Sequence, residues 1–84
     1  MKNKILIKLY VPFIDEIYEL FIPTNESVKK VVDLVVKSVH DLSGGSLSLD
    51  VKYHIMDPET SQIYLESSII RDTNIVNGKK IVLV

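Results

Sequence analysis

With 84 residues and no cysteine, the chain has room for one domain with one hydrophobic core, and it can form neither a disulfide nor a thiolate zinc site. Its 46% hydrophobic content suits a globular core, its net charge of −1 lacks the clustered basic residues of a nucleic-acid-binding surface, and no apolar run nears the roughly 20 residues that span a bilayer. We therefore predict a single domain over residues 1–84 that neither binds nucleic acid nor inserts into a membrane.

Two strands joined by a short connection are predicted at the amino terminus. Residues 4–10 alternate between two faces, as in a strand with one buried face. Residues 11–15 contain Pro12, break the alternation and form the predicted hairpin connection. Residues 16–22 are the second strand, which Pro23 ends because proline has no N–H for a central ladder.

An amphipathic helix is predicted over residues 28–42. Its apolar residues recur at spacings of three and four, which places them on one helical face. This stripe consists of Val28, Val31, Val32, Val35, Val39 and Leu42. Ser27 is the predicted N-cap, with Asn25 as the alternative. Gly44 and Gly45 are predicted to end the helix, because glycine readily adopts a left-handed C-cap conformation.

The second half of the chain is predicted to be mostly strand. Residues 43–50 form a loop in which Leu47 and Leu49 are expected to pack against the core. The predicted strands span residues 51–56, 62–65 and 79–84. Turns separate them at residues 57–60 and at the pair Asn77-Gly78, and a single tight helical turn is expected within residues 67–75.

This order of elements predicts an α+β domain. A hairpin, one helix and further strands give a mixed sheet of four to five strands that packs one face on the helix. A right-handed crossover favours the first and last strands lying parallel at the centre of the sheet. That arrangement is the ubiquitin-like β-grasp.

Two segments resemble known ubiquitin-like proteins. The ending RDTNIVNGKKIVLV resembles that of ubiquitin, with Asp72, Asn74 and Ile75 in an Asp-x-Asn-Ile tight turn. The run KLYVP with YELFIP, a valine-rich helix and DLSGG is similar to the YukD/EsaB type, from the type VII secretion loci of Gram-positive bacteria. The resemblance implies a non-enzymatic accessory or regulatory protein of the bacterial cytoplasm that binds a secretion-system component. The absence of cysteine fits that reducing compartment.

A carrier that is modified at its carboxyl terminus is the alternative function. Ubiquitin conjugation and sulfur transfer require an exposed terminal Gly-Gly, because the tail must thread a narrow active site. This sequence ends KKIVLV in a predicted strand, and its one Gly-Gly is internal, at Gly44-Gly45. We therefore disfavour the carrier function, unless the natural chain extends past Val84.

No catalytic, cofactor-binding or metal-ligating constellation is evident in the sequence. Ser38, His40 and Asp41 could suggest a hydrolytic triad, but near neighbours on a helix do not face one another. His40 and His54 lack the spacing of a metal site with the scattered carboxylates. We expect both histidines to lie on the surface, and we expect no cofactor and no enzymatic activity.

The outer face of the predicted sheet is unusually apolar. If the helix covers one face, a set of apolar side chains from several strands points away from it. These residues are Leu6, Ile17, Phe21, Met56, Val82 and Val84. They are either scattered exposed residues, which are common, or a contiguous patch for a protein partner or a homodimer, which we favour. The assignment of faces is least secure for the second strand, since a one-residue slip would exchange its two faces.

Overall fold

The computed structural model describes residues 3–84, so Met1 and Lys2 lie outside it. In chain order its elements are β1 (Lys4–Val11), a 3₁₀ turn (Pro12–Ile14), β2 (Glu16–Pro23), α1 (Val28–Leu42), β3 (Ile55–Asp57), β4 (Gln62–Ile63), a second 3₁₀ turn (Ile70–Asp72) and β5 (Lys80–Leu83). The five strands form one sheet in the order β2-β1-β5-β3-β4. β1 and β5 are parallel and the other pairs are antiparallel, which confirms the predicted α+β architecture with its central parallel pair.

The start of α1 is held by its own cap and by a distant loop. The helix has its predicted bounds, Val28–Leu42. The Ser27 hydroxyl accepts a hydrogen bond from the Lys30 N–H at 3.1 Å, which confirms Ser27 as the N-cap. The backbone carbonyls of Ser68 and Glu66 accept hydrogen bonds from the first two helical N–H groups at 2.8 and 3.1 Å. Donors that a helix start normally leaves free thus join α1 to the segment between β4 and β5.

The end of α1 follows the glycine prediction but departs from the predicted stripe. Gly44 and Gly45 have φ of 65° and 86°, and the Gly45 N–H donates to the His40 carbonyl at 2.8 Å. Leu42, predicted to be buried, is 63% exposed, whereas Val36 is buried. Leu42 keeps the angular position of the stripe, but it borders an open surface pocket at the start of β2 instead of a packed sheet.

The predicted third strand is mostly wrong. Pairing is confined to β3, Ile55–Asp57, and residues 51–53 have no strand beside them within the described chain. The cause is the length of the neighbours: β4 has two residues, and the last bonds to the carboxyl-terminal strand are those between His54 and Val84, both at 2.8 Å. Leu47 is buried as predicted, but Leu49 is 53% exposed.

The hydrophobic core lies between α1 and the inner face of the sheet. Alternation within the strands sends every second side chain into it. The inner-face residues that are at most 1% exposed are Ile7, Leu9, Val11, Ile22, Ile55, Ile81 and Leu83. Ile5 and Leu20 are partly buried against the same core. The other side chains of these strands lie on the outer face, as the alternation predicts, so the register of β2 is confirmed.

Candidate protein-binding face

Strand register aligns five side chains across the whole outer face. Tyr10 of β1 pairs with Ile17 of β2 on one side and with Val82 of β5 on the other. Met56 of β3 pairs with Val82 and with Ile63 of β4. Directly opposed residues bring their Cβ atoms within about 5 Å of each other, so these five form one continuous line. We call Ile17, Tyr10, Val82, Met56 and Ile63 the apolar row.

Charged side chains border this row. Lys8 pairs with Glu19 of β2 and with Lys80 of β5, two residues before Tyr10 along β1. Beyond them Leu6 pairs with Phe21, which is 59% exposed. Tyr10 lies four positions after Leu6, a distance of about 13 Å along the strand. Of the six predicted residues, Leu6 and Phe21 therefore form one apolar area, and Ile17, Val82 and Met56 belong to another. Val84 lies two residues beyond Val82 and pairs with His54.

The predicted residues differ in how much surface they offer. Ile17 is 57% exposed, and Leu6, Met56 and Val84 are half-buried. Val82 points outward between Tyr10 and Met56 but is only 7% exposed, because its neighbours in the row shield it. The expectation that Val82 is exposed is therefore wrong, and its role in the row is to support the two side chains beside it.

Polar contacts hold Tyr10 in the row. Its hydroxyl donates to Asp15 Oδ1 at 3.2 Å, and this hydrogen bond, with a smaller contribution from burial, raises the pKa of the Tyr10 phenol. Asp15 adopts a left-handed conformation, φ 50°, after the 3₁₀ turn. The Lys80 ammonium lies 5.7 Å from the centre of the Tyr10 ring, a cation–π distance. The tyrosine thus presents a fixed ring with a polar edge.

Sequence reasoning missed two members of the row. The alternation along β1 places Tyr10 on the same face as Leu6 and Lys8, but Tyr10 was not counted among the predicted binding residues. Ile63 could not be placed on this face, because its register depends on the turn before β4. That turn contains Ser61 at φ 59°, a conformation that no local sequence signal indicated.

A buried polar cluster joins the sheet to the loop before β5. Asp57, at the end of β3, is 3% exposed. Its Oδ2 accepts from the Asn74 side-chain amide at 2.8 Å, and its Oδ1 accepts from the Glu59 N–H at 2.9 Å and from Lys79 Nζ at 3.2 Å. The Tyr64 hydroxyl donates to Asn74 Oδ1 at 2.6 Å. Asp57 was predicted only to open a turn, so its burial and its ion pair are new findings.

The cluster shifts the pKa values of Asp57 and Tyr64. The hydrogen bond from Asn74, then that from the Glu59 N–H, lowers the pKa of Asp57 from 3.8 to about 2, against the opposing effect of burial and with further help from Lys79. Burial raises the pKa of the Tyr64 phenol. Asp57 accepts from three donors and Asn74 Oδ1 accepts from Tyr64, so each of these donors has an acceptor and the cluster is a structural clasp.

The two histidines have structural surroundings. His40 Nδ1 donates to the Leu47 carbonyl at 2.7 Å, and the His40 side chain is half-buried. His54 shares the outer face with Met56 and is half-buried. Within residues 3–84 no three His, Asp or Glu side chains are placed to hold a metal ion, and no helix there has the length and apolar character of a membrane span.

Solved structures, compared with this chain, identify the fold. The ubiquitin-like domain of the Mycobacterium tuberculosis type VII secretion system protein ECCD1 matches with a TM-score of 0.76, covering 96% of this chain and 97% of that chain at 13% identity. This chain has the ubiquitin-like β-grasp fold. The chain matches no protein-family model, and no curated protein matches it in sequence.

Other solved structures share the ubiquitin-like fold. A chain of the MycP5-free ESX-5 inner membrane complex matches with a TM-score of 0.80 at 9% identity, covering 98% of this chain and 21% of that one. The toluene 4-monooxygenase HD complex contains a chain that matches with a TM-score of 0.74 at 8% identity, covering 96% of both chains. Because these proteins belong to different complexes and share little sequence identity with this chain, the likeness shows the fold alone.

Proposed function

We propose that this chain is a non-enzymatic ubiquitin-like accessory protein of a bacterial type VII secretion system, of the YukD/EsaB type. It acts in the cytoplasm by binding a protein component of that system through the outer face of its sheet. Two lines of support converge: the segments KLYVP, YELFIP and DLSGG resemble that family, and the fold matches the ubiquitin-like domain of a type VII secretion protein.

The observation that carries the binding mode is the apolar row. Ile17 and Ile63, at its two ends, are 57% and 46% exposed, and Tyr10 and Met56 between them are half-buried. Apolar side chains that are fixed by cross-strand neighbours lose little conformational entropy when a partner covers them. A central apolar area with a charged border, here Lys8 and its neighbours, is the usual anatomy of a binding interface.

The experiment measures binding to the inner-membrane complex of the type VII secretion system from the bacterium that encodes this chain. The complex is purified in detergent, and dissociation constants are compared for the parent and for Ile17→Asp. Loss of an interface hot spot costs about 2 kcal/mol, so we expect binding to weaken roughly 30-fold. Leu42→Asp is the matched control, because Leu42 is 63% exposed at the end of α1, away from the outer face.

The outcomes separate the proposal from its alternatives. Equal affinity of Ile17→Asp and the parent would exclude the apolar row as the binding surface. If Phe21→Asp alone weakens binding, the area formed by Leu6 and Phe21 is the site instead. Absence of binding by the parent itself would count against the secretion partner. A parent that sediments as a dimer, and an Ile17→Asp variant that sediments as a monomer, would assign the face to homodimerisation.

A further inference from the structure

The two edges of the sheet are protected to different degrees. Edge strands present unpaired N–H and C=O groups, and proteins protect such edges by short length, lysine, proline or a β-bulge. The strand at one edge, β4, has only two residues. The strand at the other edge, β2, has eight residues in unbroken register with β1, contains no lysine, and has its one proline, Pro23, at the last position. Because β2 is long and regular, it is the edge on which a further strand can be added.

Every second residue of β2 turns its backbone groups away from the sheet. The Lys8 N–H donates to the Lys79 carbonyl at 3.0 Å, so the even-numbered residues of β1 face β5 and the odd-numbered residues face β2. The even-numbered residues of β2 pair with those odd-numbered residues. Ile17, Glu19 and Phe21 therefore direct their N–H and C=O groups outward. No loop or other strand within residues 3–84 forms a backbone hydrogen bond with these groups.

A second copy of β2 fits this edge in one antiparallel register. When Glu19 lies opposite its own equivalent, Ile17 lies opposite Phe21 of the second copy on the outer face, and Tyr18 lies opposite Leu20 on the inner face. Each of these apolar pairs occurs twice, because the arrangement is two-fold symmetric. Aromatic side chains opposite aliphatic ones stabilise paired strands. Shifting the register by one step in either direction puts Glu19 opposite Ile17 or Phe21 and loses the outer-face pairs.

The same register joins the two apolar areas of the outer face. In one chain the apolar row ends at Ile17, and Leu6 with Phe21 forms a separate area beyond the charged border. In the paired sheet both outer faces lie on the same side, with Phe21 of the second copy beside Ile17 and then its Leu6. Two equivalent rows result, and each runs from Ile63 of one copy to Leu6 of the other. The pairing thus makes one continuous apolar surface from areas that are separate in a single chain.

Glu19 is the residue that opposes this pairing. Like charges directly opposite each other destabilise a sheet, whereas apolar pairs stabilise it. The apolar pairs each occur twice and the contact between the Glu19 side chains occurs once. Lys8 also lies beside each Glu19 in its own chain. We therefore expect a net attraction that is weak, because the pairing is confined to residues 17–21.

We propose that this chain forms a two-fold symmetric dimer by antiparallel pairing of its β2 edges, centred on Glu19. The backbone groups of Ile17, Glu19 and Phe21 exchange hydrogen bonds with those of the second copy, so one continuous sheet spans both chains. This dimer leaves the outer face uncovered. The proposal therefore neither depends on the type VII assignment nor competes with partner binding at the apolar row.

Sedimentation equilibrium of the full chain, from roughly 10 µM to 1 mM, measures the dissociation constant of the dimer. Glu19→Pro removes an outward N–H at an edge position where proline is tolerated. We expect this variant to fold and its dimer to be at least about tenfold weaker. Glu19→Gln keeps the N–H but removes the like charges, and its dimer should be roughly two- to fivefold tighter.

Cysteine placement tests the register, since the chain has no cysteine of its own. A short bis-maleimide should cross-link Glu19→Cys, because opposed Cβ atoms lie about 5 Å apart. Glu16→Cys is the exposed control, and the two copies of that position would lie about 20 Å apart along the strands. Ile63→Asp should leave the edge dimer unchanged. Ile63 separates edge pairing from contact between two outer faces, whereas Ile17 belongs to both.

The outcomes decide the proposal even if Glu19→Pro fails to fold, which its amide NMR spectrum would show. In the parent, the amides of Ile17, Glu19 and Phe21 should exchange slowly at high concentration and faster on dilution. Exchange that is independent of concentration, or a parent that stays monomeric at the highest concentration, would overturn the pairing. A dimer that Ile63→Asp abolishes, or equal cross-linking of Glu16→Cys and Glu19→Cys, would also overturn it. A dimeric parent that binds no secretion complex would count against the proposed function alone.

Discussion

Replacement of Asp57 by Asn tests the polar clasp, because it removes a charge while preserving shape. The carboxylate accepts three hydrogen bonds, from the Asn74 amide, the Glu59 N–H and Lys79 Nζ. An Asn side chain has one acceptor oxygen, so its amide would oppose either the Asn74 amide or the lysine. Rotation of the Asn74 amide would relieve the first clash but break its 2.6 Å hydrogen bond from Tyr64. We expect Asp57→Asn to lower the free energy of unfolding at pH 7.

The pH dependence of this loss of stability follows from the pKa of Asp57. It falls from 3.8 to about 2 in the folded chain, so the carboxylate stabilises the fold above about pH 4, and this contribution disappears as the pH falls towards 2. Near pH 3 the unfolded side chain is mostly protonated and the folded one mostly ionised. Unfolding should therefore take up about 0.8 proton at Asp57 near pH 3. The variant lacks this uptake.

The assay is urea unfolding of the parent and Asp57→Asn at intervals from pH 7 to pH 2. The difference between their free energies of unfolding should be constant above pH 5 and should shrink between pH 4 and pH 2. Asp33→Asn removes a carboxylate from the exposed side of α1 and controls for the change in net charge. A parent-minus-variant difference that stays the same down to pH 2 would refute the reasoning, since Asp57 would then titrate alike in both states.

Three other substitutions test the fold itself. Leu83→Ala, at a fully buried position, should lower the free energy of unfolding by about 2–5 kcal/mol and so the Tm measured by calorimetry. Ser27→Ala removes the N-cap of α1 and should cost about 1 kcal/mol in urea unfolding, with Ser67→Ala as an exposed control. Gly45→Ala should lower the free energy of unfolding by about 1–2 kcal/mol, because Gly45 has φ 86°. The new Cβ would meet only His40 Cε1, at 3.8 Å, so the cost comes from the backbone conformation. Unchanged stability would contradict the left-handed end of α1.

Local sequence signals were sufficient for the helix and for the strand order. Ser27 and the pair Gly44-Gly45 carry their own hydrogen-bonding and conformational preferences, so both ends of α1 could be predicted within a residue. The alternation along β1 and β2 fixed which face each residue takes. The crossover rule then placed β5 beside β1.

Features that depend on distant partners could not be predicted. Residues 51–53 have a strand-like pattern, but a strand needs a neighbour, and β4 is too short to pair with them. The shielding of Val82 depends on Tyr10 and Met56, which only the register brings beside it. The burial of Asp57 depends on Asn74 and Lys79, which are 17 and 22 residues away in sequence.

The short pairing at the β3 side of the sheet limits the apolar row at that side. Because β4 has only two residues, Ile63 completes the apolar row at its edge, and the chain then turns towards the start of α1, where Ser68 and Glu66 cap the helix. That same departure leaves residues 51–53 without a paired strand. A longer β4 could pair with these residues and extend the outer face. The length of this one strand therefore determines how far the outer face extends at the side of Ile63.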